Sequence, residues 1–497
     1  MSRRPPVRHG SPSINMEAIA WDAMKKYGFR ASFGNAVIQE ANAIDPNAKN
    51  PSWHDAQDLR ELLWSSIDNI DSRDLDQMEY CEREKNGEIH VQVAIADVDS
   101  RVPKNSRIDQ YAAYNGASIY LDVHTFPMLP DKLSAGITSL LPGKDCPAMI
   151  VDYWVLLDGT IRYGTVYRAI VANKAKLVYE QVGAWLEGTG PMPENVEAVP
   201  GLEAQLRLQN EAAVRLRQRR TGQGALPLET IEAQAVYEAG AVKDLIVLEL
   251  NAARSLIEEF MVAANRTMMA FLSAAGIPRI ERIVRTPRDW EGIVLTAAAL
   301  GETLPVQPDV QALSKFLVAR RAADPERFPD LSLTVVKLMG PGEYALLAPG
   351  SAPIGHFALA VTDYTHGTAP NRRYVDLVIQ RLLKSVIDKK PSPYPVQELE
   401  ELCAWLTDKE KASKKAERFM RKAAAAVLLK DQIGKTFVGL VTGASDKGSY
   451  VRLSTPPAEG RVVEGERGLR VGQKIRVKLL GTDPFKGFID FAFSGNA

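Results

Sequence analysis

The chain has 497 residues, of which 45% are hydrophobic, and a formal net charge of zero, which is long for one core and suggests one large domain with smaller modules at its ends. No run of about 18 apolar residues occurs, and the start, MSRRPPVRHGSPS, lacks the apolar centre of a signal peptide, so a cytoplasmic protein with no membrane span is expected. Cys81, Cys146 and Cys403 are odd in number and far apart, which supports neither a disulfide framework nor a zinc ribbon.

Residues 1–15 are basic and rich in proline and serine, the composition of a disordered tail. Residues 16–57 carry two helical patterns split by Tyr27-Gly28-Phe29-Arg30. They fit either a helix-turn-helix module or a pair that packs on the next domain. Residues 63–80, LWSSIDNIDSRDLDQMEY, then bring Asp68, Asp71, Asp74 and Asp76 into one short segment. Like charges this close repel unless a cation or solvent neutralises them. A hairpin about Asn86-Gly87 follows, with strands over 78–83 and 88–96, so the carboxylates sit where strands end. A strand over 119–121, a turn-rich loop over 133–143 and a second hairpin about Asp158-Gly159 come next.

Residues 177–220 read as mostly helical, ending in Arg215, Arg217, Arg219 and Arg220, a pattern usual for a solvated face. The apolar period over 242–275 predicts one long buried helix with a break near Asn251. Helices are predicted within 287–320 and 324–338, an apolar strand over 355–362, a helix over 371–388 opened by Pro370, and a helix over 396–428 with the basic run Lys411, Lys414, Lys415, Arg418, Arg421 and Lys422. From Gly434 the pattern changes to five short alternating strands with glycine turns, the signature of a small OB-type barrel. Its face is expected to carry Phe437, Tyr450, Phe485 and Phe488 among Lys447, Arg452, Lys474, Arg476 and Lys486. Aromatic rings between cations suit stacking on single-stranded bases and screening of phosphates.

Clustered aspartates without histidine or cysteine supply hard oxygen ligands, which suit Mg²⁺ or Mn²⁺ rather than zinc. Magnesium completes its shell with substrate phosphate oxygens, so phosphoryl chemistry follows. An EF-hand does not fit, because the required glycine and bidentate glutamate are missing. Pro370-Asn371-Arg372-Arg373-Tyr374 places two guanidinium groups at a predicted helix start, a setting suited to a phosphate.

DLRELLWSSIDNIDSRDLDQ, AIADVDSRVPKNSRID, YLDVHTFPMLPDKLSAGITSLLPG, SLIEEFMVAAN, TAPNRRYVDLVIQRLL and KKAERF occur in the order that resembles the RNase II (RNB) family, over residues 58–427. The terminal barrel is similar to the S1-type RNA-binding domain of that family. The resemblance implies an α+β architecture with a large mixed α/β RNB catalytic domain over 58–430, a small helical N-terminal module and an S1-type OB-fold barrel over 434–497. It also implies a monomeric, processive 3′→5′ exoribonuclease that hydrolyses single-stranded RNA to nucleoside 5′-monophosphates with Mg²⁺, Mn²⁺ being a substitute. Asp68, Asp74 and Asp76 match the metal ligands, with Asp76 the most sensitive. Tyr120 matches an aromatic residue that clamps the terminal base, Arg372 the arginine on the scissile phosphate, and Glu417 a glutamate near the terminal nucleotide. On this reading Arg373, Phe437, Tyr450 and Arg452 are further RNA contacts.

The sequence also departs from the family. Gln77 stands where a fourth aspartate is usual, so a second cation should be held more weakly unless Asp71 or Gln77 itself contributes an oxygen. Asn371 and Ala369 replace the usual Ile and Ser, and Gly367 replaces an aromatic residue. The short N-terminal segment leaves no room for two cold-shock barrels, which implies a more open entrance that admits structured RNA through a 3′ overhang. The alternative to an active nuclease is an RNA-binding protein on the same fold whose catalysis is weakened at Gln77.

Overall fold

The structure, a computed structural model, describes residues 14–48, 53, 55–229, 233–238, 240–247, 250–445, 448–453 and 455–497. Residues 1–13 of the expected tail, and Lys447 of the expected barrel face, lie outside the described residues. Helix α1 (Met16–Lys26) begins where the Asn15 side chain accepts the Ala18 N–H, and α2 (Asn35–Ala43) follows a turn through Gly28 at φ 79°. Both helices pack onto the rest of the chain, but into different cores. Ile19, Ala23 and Met24 of α1 join the cluster that holds Phe419 and Met420, whereas Val37 and Ala41 of α2 join the main core.

That core lies on a seven-stranded sheet. Its strands are β1 (Gln57–Asp58), β2 (Ser65–Asp68), β3 (Gln77–Arg83), β4 (Ile89–Ala96), and, after α3 (Arg107–Asn115) and the small hairpin β5 (Ile119–Tyr120) and β6 (Thr125–Phe126), β7 (Asp145–Val155), β8 (Ile161–Ala172) and β9 (Ala175–Val178). The order is β1-β8-β7-β4-β3-β2-β9, with antiparallel pairing at the centre and parallel pairs at both edges. β4 is buried along almost its whole length, as a central strand covered on both faces must be. Helices α4 (Tyr179–Leu186), α5 (Glu194–Glu197) and α6 (Leu202–Gly222) follow.

Three local expectations need correction. The single helix predicted over 242–275 is instead strand β11 (Ala241–Val247), paired with β10 (Ala233–Glu238), and then α7 (Ala252–Ala274), which Asn251 caps by accepting the Arg254 N–H. An apolar run of this length has no distinguishing period, and the partner strand decides its state. After β12 (Arg279–Ile283), helices α8 (Trp290–Ala299), α9 (Val310–Ala323) and α10 (Phe328–Met339) form a satellite core, and β13 (Glu343–Leu347) returns to pair with β12. The strand predicted over 355–362 is a bend with one 3₁₀ turn, because the buried Glu281 carboxylate collects the N–H groups of Ile354, Gly355 and Asp363. Helix α11 (Tyr374–Ile387) starts three residues later than predicted. The backbone before it is already engaged across the chain: Ser118 N–H donates to the Arg372 carbonyl, and Tyr374 N–H to that of Gly116.

The long helix α12 (Val396–Leu429) leads into β14 (Thr436–Ser445), β15 (Gly448–Leu453), β16 (Glu459–Glu464), β17 (Lys474–Asp483) and β18 (Phe488–Asn496), a closed five-stranded barrel filled by residues such as Val451, Val477 and Phe491. Among the described residues no helix is long and apolar enough to cross a membrane.

A buried charge network fixes α11 to the end of β4. Arg381 reaches Asp99 and Asp109, each at 2.8 Å, while Lys384 pairs with Asp97 and, at 3.1 Å, with Asp99. Removing one member strands a buried carboxylate, so Lys384→Ala should lower the unfolding free energy by about 3 kcal/mol. Urea unfolding followed by tryptophan fluorescence checks this, and a midpoint equal to that of the unaltered protein would refute it.

Candidate active site

The acidic segment leaves β2 at Asp68 and re-enters the sheet at Gln77. Asp68 Oδ1 accepts the Asn69 N–H at 2.7 Å and the Ser72 hydroxyl at 2.8 Å, so it folds the loop back on itself. From the opposite side Ser139 Oγ accepts the Leu75 N–H and donates to the Arg73 carbonyl, at 2.9 and 2.8 Å. Asp76 is 1% exposed. Its Oδ1 accepts the Asn371 N–H at 2.9 Å, and its Oδ2 is buried without a hydrogen bond, with Arg372 Nε 3.5 Å away. The Arg372 side chain is 44% exposed, so most of its guanidinium remains free for a ligand.

Asp74 accepts the Tyr120 hydroxyl at 2.9 Å, which links the acidic loop to the β5–β6 hairpin. Both residues line a cleft of about 850 Å³ together with Asp71, Arg254, Glu417 and Arg421. Glu417 is steadied by the Ser413 hydroxyl at 2.6 Å, and Arg254 by Glu180 at 2.7 Å. The structure thus brings Tyr120, Asp74 and Glu417 to one cleft, with Asp76 and Arg372 paired beside Asp74. Arg254 was not legible as a cleft residue from the sequence, and its only signal is its place one residue ahead of SLIEEFM. Gln77 is buried as the first residue of β3, paired with Ile95, whereas Asp71 is exposed at the cleft.

Electrostatics single out Asp76. Burial, with the nearby Asp74 charge, pushes its carboxyl up to about 8, and Arg372 offsets only part of that effect. Burial likewise raises Asp68 above the usual carboxylate range, and burial with Asp74 raises the Tyr120 hydroxyl. Among the described residues no three His, Cys, Asp or Glu side chains converge into a ready-made metal cage. The donor set nevertheless fits a hard divalent cation. Its oxygens are carboxylates, and Asp76 Oδ2, with no hydrogen bond and only Arg372 at 3.5 Å, is an acceptor whose burial a closer positive charge would offset.

Other expected contacts are engaged elsewhere. Arg373 forms a forked pair with Asp376, at 2.8 and 2.7 Å, so it braces its own turn instead of facing the cleft. On the barrel, Arg452 pairs with Asp330 of α10, Tyr450 lies beneath the Lys422 ammonium, and Phe437 packs against the barrel and α12 core. The rings that face solvent are Phe485 and Phe488, at 68% and 55% exposure.

The raised Asp76 value has a sign. A carboxyl whose folded-state value lies above its unfolded one takes up a proton on folding between pH 3.8 and about 8, so its contribution to stability is full at the acid end and is lost as pH rises through that window. In EDTA the stability of the protein should therefore fall across this range, and Asp76→Asn should reduce the slope. Urea midpoints measured against pH test this, and identical slopes for the two proteins would contradict it.

Comparison with known proteins agrees with this geometry. The RNB domain model matches residues 56–389, and the model of the RNase II-type exonuclease C-terminal S1 domain matches residues 435–494. Ribonuclease R of Thermotoga maritima is 30% identical over 492 residues, which cover 92% of this chain and 68% of that protein. Mycoplasma genitalium RNase R, in its apo form, superposes with a TM-score of 0.86 over 97% of this chain and 78% of that one, at 24% identity. That protein has also been solved with ribose-methylated single-stranded RNA and with double-stranded RNA. Yeast Ssd1, a pseudonuclease, shares the fold at 17% identity over 93% of this chain and 57% of that one, with a TM-score of 0.70. Such likeness shows the fold alone, so the chemistry has to be argued from the site. The chain belongs to the RNB family and is an exoribonuclease of the RNase II type with a C-terminal S1 domain.

Proposed function

We propose that the protein hydrolyses single-stranded RNA processively from the 3′ end to nucleoside 5′-monophosphates, with Mg²⁺ or Mn²⁺, and enters structured RNA from a 3′ overhang. It works as a monomer in the cytoplasm. The observation that carries the reading is Asp76, a buried carboxylate with one oxygen left without a hydrogen bond and a half-exposed arginine beside it. A binding protein gains nothing from such a group, which disfavours the alternative of an RNA-binding protein with weakened catalysis.

Asp76, Asp68 and Asp74 would hold the cation, with Asp71 and Gln77 as further oxygen donors. When bound, such a cation screens the phosphate and acidifies the attacking water. Arg372 meets the scissile phosphate with N–H donors that stay in place as charge grows on its oxygens. Tyr120, 40% exposed, offers its ring to the terminal base, while its hydroxyl stays on Asp74, so base seat and carboxylate move together. Glu417 faces the terminal nucleotide across the cleft, and Arg421 and Arg254 meet the backbone. Phe485 and Phe488 give the barrel a stacking surface for RNA outside the cleft.

The test is a 3′-overhang RNA incubated with Mg²⁺, Mn²⁺ or EDTA, with products identified by mass spectrometry. Nucleoside 5′-monophosphates should form only with a cation and vanish in Asp76→Asn, and Arg372→Ala should slow their release by about 100-fold or more. Binding without products under every condition would instead establish the non-catalytic alternative. On the barrel, Asp330→Asn should free Arg452 and tighten RNA binding at low salt, read by fluorescence anisotropy, and unchanged affinity would show that Arg452 takes no part.

A further inference from the structure

Two buried polar side chains with no role in the reading above meet directly behind the site. Thr138 closes the π-helical turn Leu133–Ile137, and Asn371 immediately precedes Arg372; they are 6% and 0% exposed. Thr138 Oγ1 donates to Asn371 Oδ1 at 2.6 Å, and Asn371 Nδ2 faces the Thr138 carbonyl at 3.4 Å. Thr138 Oγ1 also lies 2.9 Å from the Leu133 carbonyl, but that carbonyl already has the Thr138 backbone N–H at 3.0 Å, whereas Asn371 Oδ1 is closer and has no other donor, so the single hydroxyl proton goes to Asn371. Turning the amide over would set its oxygen against the Thr138 carbonyl, which fixes its orientation.

Each partner of this pair also holds one half of the site. Ser139, next to Thr138, pins the acidic loop through Leu75 N–H and the Arg73 carbonyl. Asn371 gives its own N–H to Asp76 Oδ1, and the next residue is Arg372. The side-chain pair therefore closes a loop of contacts running from Ser139 through the acidic loop to Asp76, across to Asn371, and back to Thr138. A peptide held at both its N–H and its side chain has little freedom left to rotate.

We propose that Thr138 and Asn371 are positioning residues: their buried reciprocal pair fixes the Asn371 peptide so that Asp76 Oδ1 stays occupied, Arg372 stands beside Asp76, and Oδ2 is the oxygen left for the cation. The inference rests on the nuclease reading and goes beyond it, because it assigns the relative placement of the acid and the arginine to a pair that touches neither substrate nor cation. Misplacement by about 1 Å costs on the order of 100-fold in rate, so loss of the pair should appear in kcat rather than in KM for RNA.

The test uses the full chain as Thr138→Val, Asn371→Leu, their double variant and Thr138→Ser. Release from an unstructured, 3′-labelled oligonucleotide gives kcat and KM, and the rise in melting temperature with added Mn²⁺ reports cation binding without turnover. Thr138→Val leaves Asn371 Oδ1 buried and unpaired, and Asn371→Leu takes the Nδ2 donor from the Thr138 carbonyl while the Thr138 hydroxyl falls back on the Leu133 carbonyl, so each should lose about 10- to 100-fold in kcat at unchanged KM. Each should also show a smaller Mn²⁺-induced rise. The double variant should lose less than the product of the two singles, since it no longer strands Asn371 Oδ1, and Thr138→Ser should match the unaltered protein. Single variants with normal kcat, or a change confined to KM, would overturn the proposal. So would a double variant at normal kcat, which makes the pair a matter of burial only, or one whose loss equals the product of the two singles, which makes the residues independent. Should a single variant fail to fold, the comparison of Thr138→Ser with the double carries the test, and equal kcat in both overturns it. An unaltered protein that forms no products strikes the nuclease reading itself, while the Mn²⁺-induced shift still decides the positioning role.

Discussion

The structure depends on keeping one carboxylate where water cannot reach it. Asp76 sits at the end of a sheet strand with a single hydrogen bond, and its carbonyl accepts the Ala96 N–H, so it can neither swing out to solvent nor relax toward another donor. Desolvating a charge in this way is expensive, and the cost is tolerable only if a positive partner completes the site. The surrounding architecture serves that constraint. β3 and β4 form a rigid wall, the Arg372 segment closes over it, and the charged anchors of α11 hold that segment against the sheet.

Those anchors show how the same chemistry serves two ends. Asp97 is buried like Asp76 and Asp99 is partly buried, but Lys384 and Arg381 reach them directly, and the two cations hold the Asp99 carboxyl below the usual range against the cost of burial. Asp76 has only Arg372 at 3.5 Å, a distance at which the charge is moderated but the oxygen is not saturated. A satisfied pair makes scaffold, and an incompletely satisfied one leaves an oxygen open to a further partner. Arg372 and Arg373 repeat the contrast at adjacent positions, since Arg373 is consumed by a forked pair with Asp376 and Arg372 is left half in solvent.

Much of this was legible in the sequence where a local rule acts alone. Asn86-Gly87 announced the β3–β4 hairpin, and the alternating segments after Gly434 announced a barrel. The motif resemblance added Tyr120 and Glu417, which neither period nor composition could have placed. What escaped were features decided by distant partners. The run over 241–247 became a strand because β10 pairs with it, and 355–362 became a bend because Glu281 gathers its N–H groups. Arg452 looked like a phosphate contact because nothing in the chain nearby discloses that Asp330 claims it, whereas Arg373 is claimed by Asp376 only three residues on, a local pairing that was legible in the sequence and still escaped. Arg254 escaped for the opposite reason: an arginine on an amphipathic helix is unremarkable until the cleft it borders has formed.

Helix α12 carries a mechanical consequence. It runs unbroken for 34 residues, which at 1.5 Å per residue is a strut of about 51 Å, and its later turns both line the cleft, through Glu417 and Arg421, and seat the barrel, through Phe419 and Lys422. A load on the barrel is borne lengthwise by a continuous ladder of backbone hydrogen bonds instead of by a hinge. The barrel and the cleft are therefore held at a fixed span, mounted on the same rigid beam.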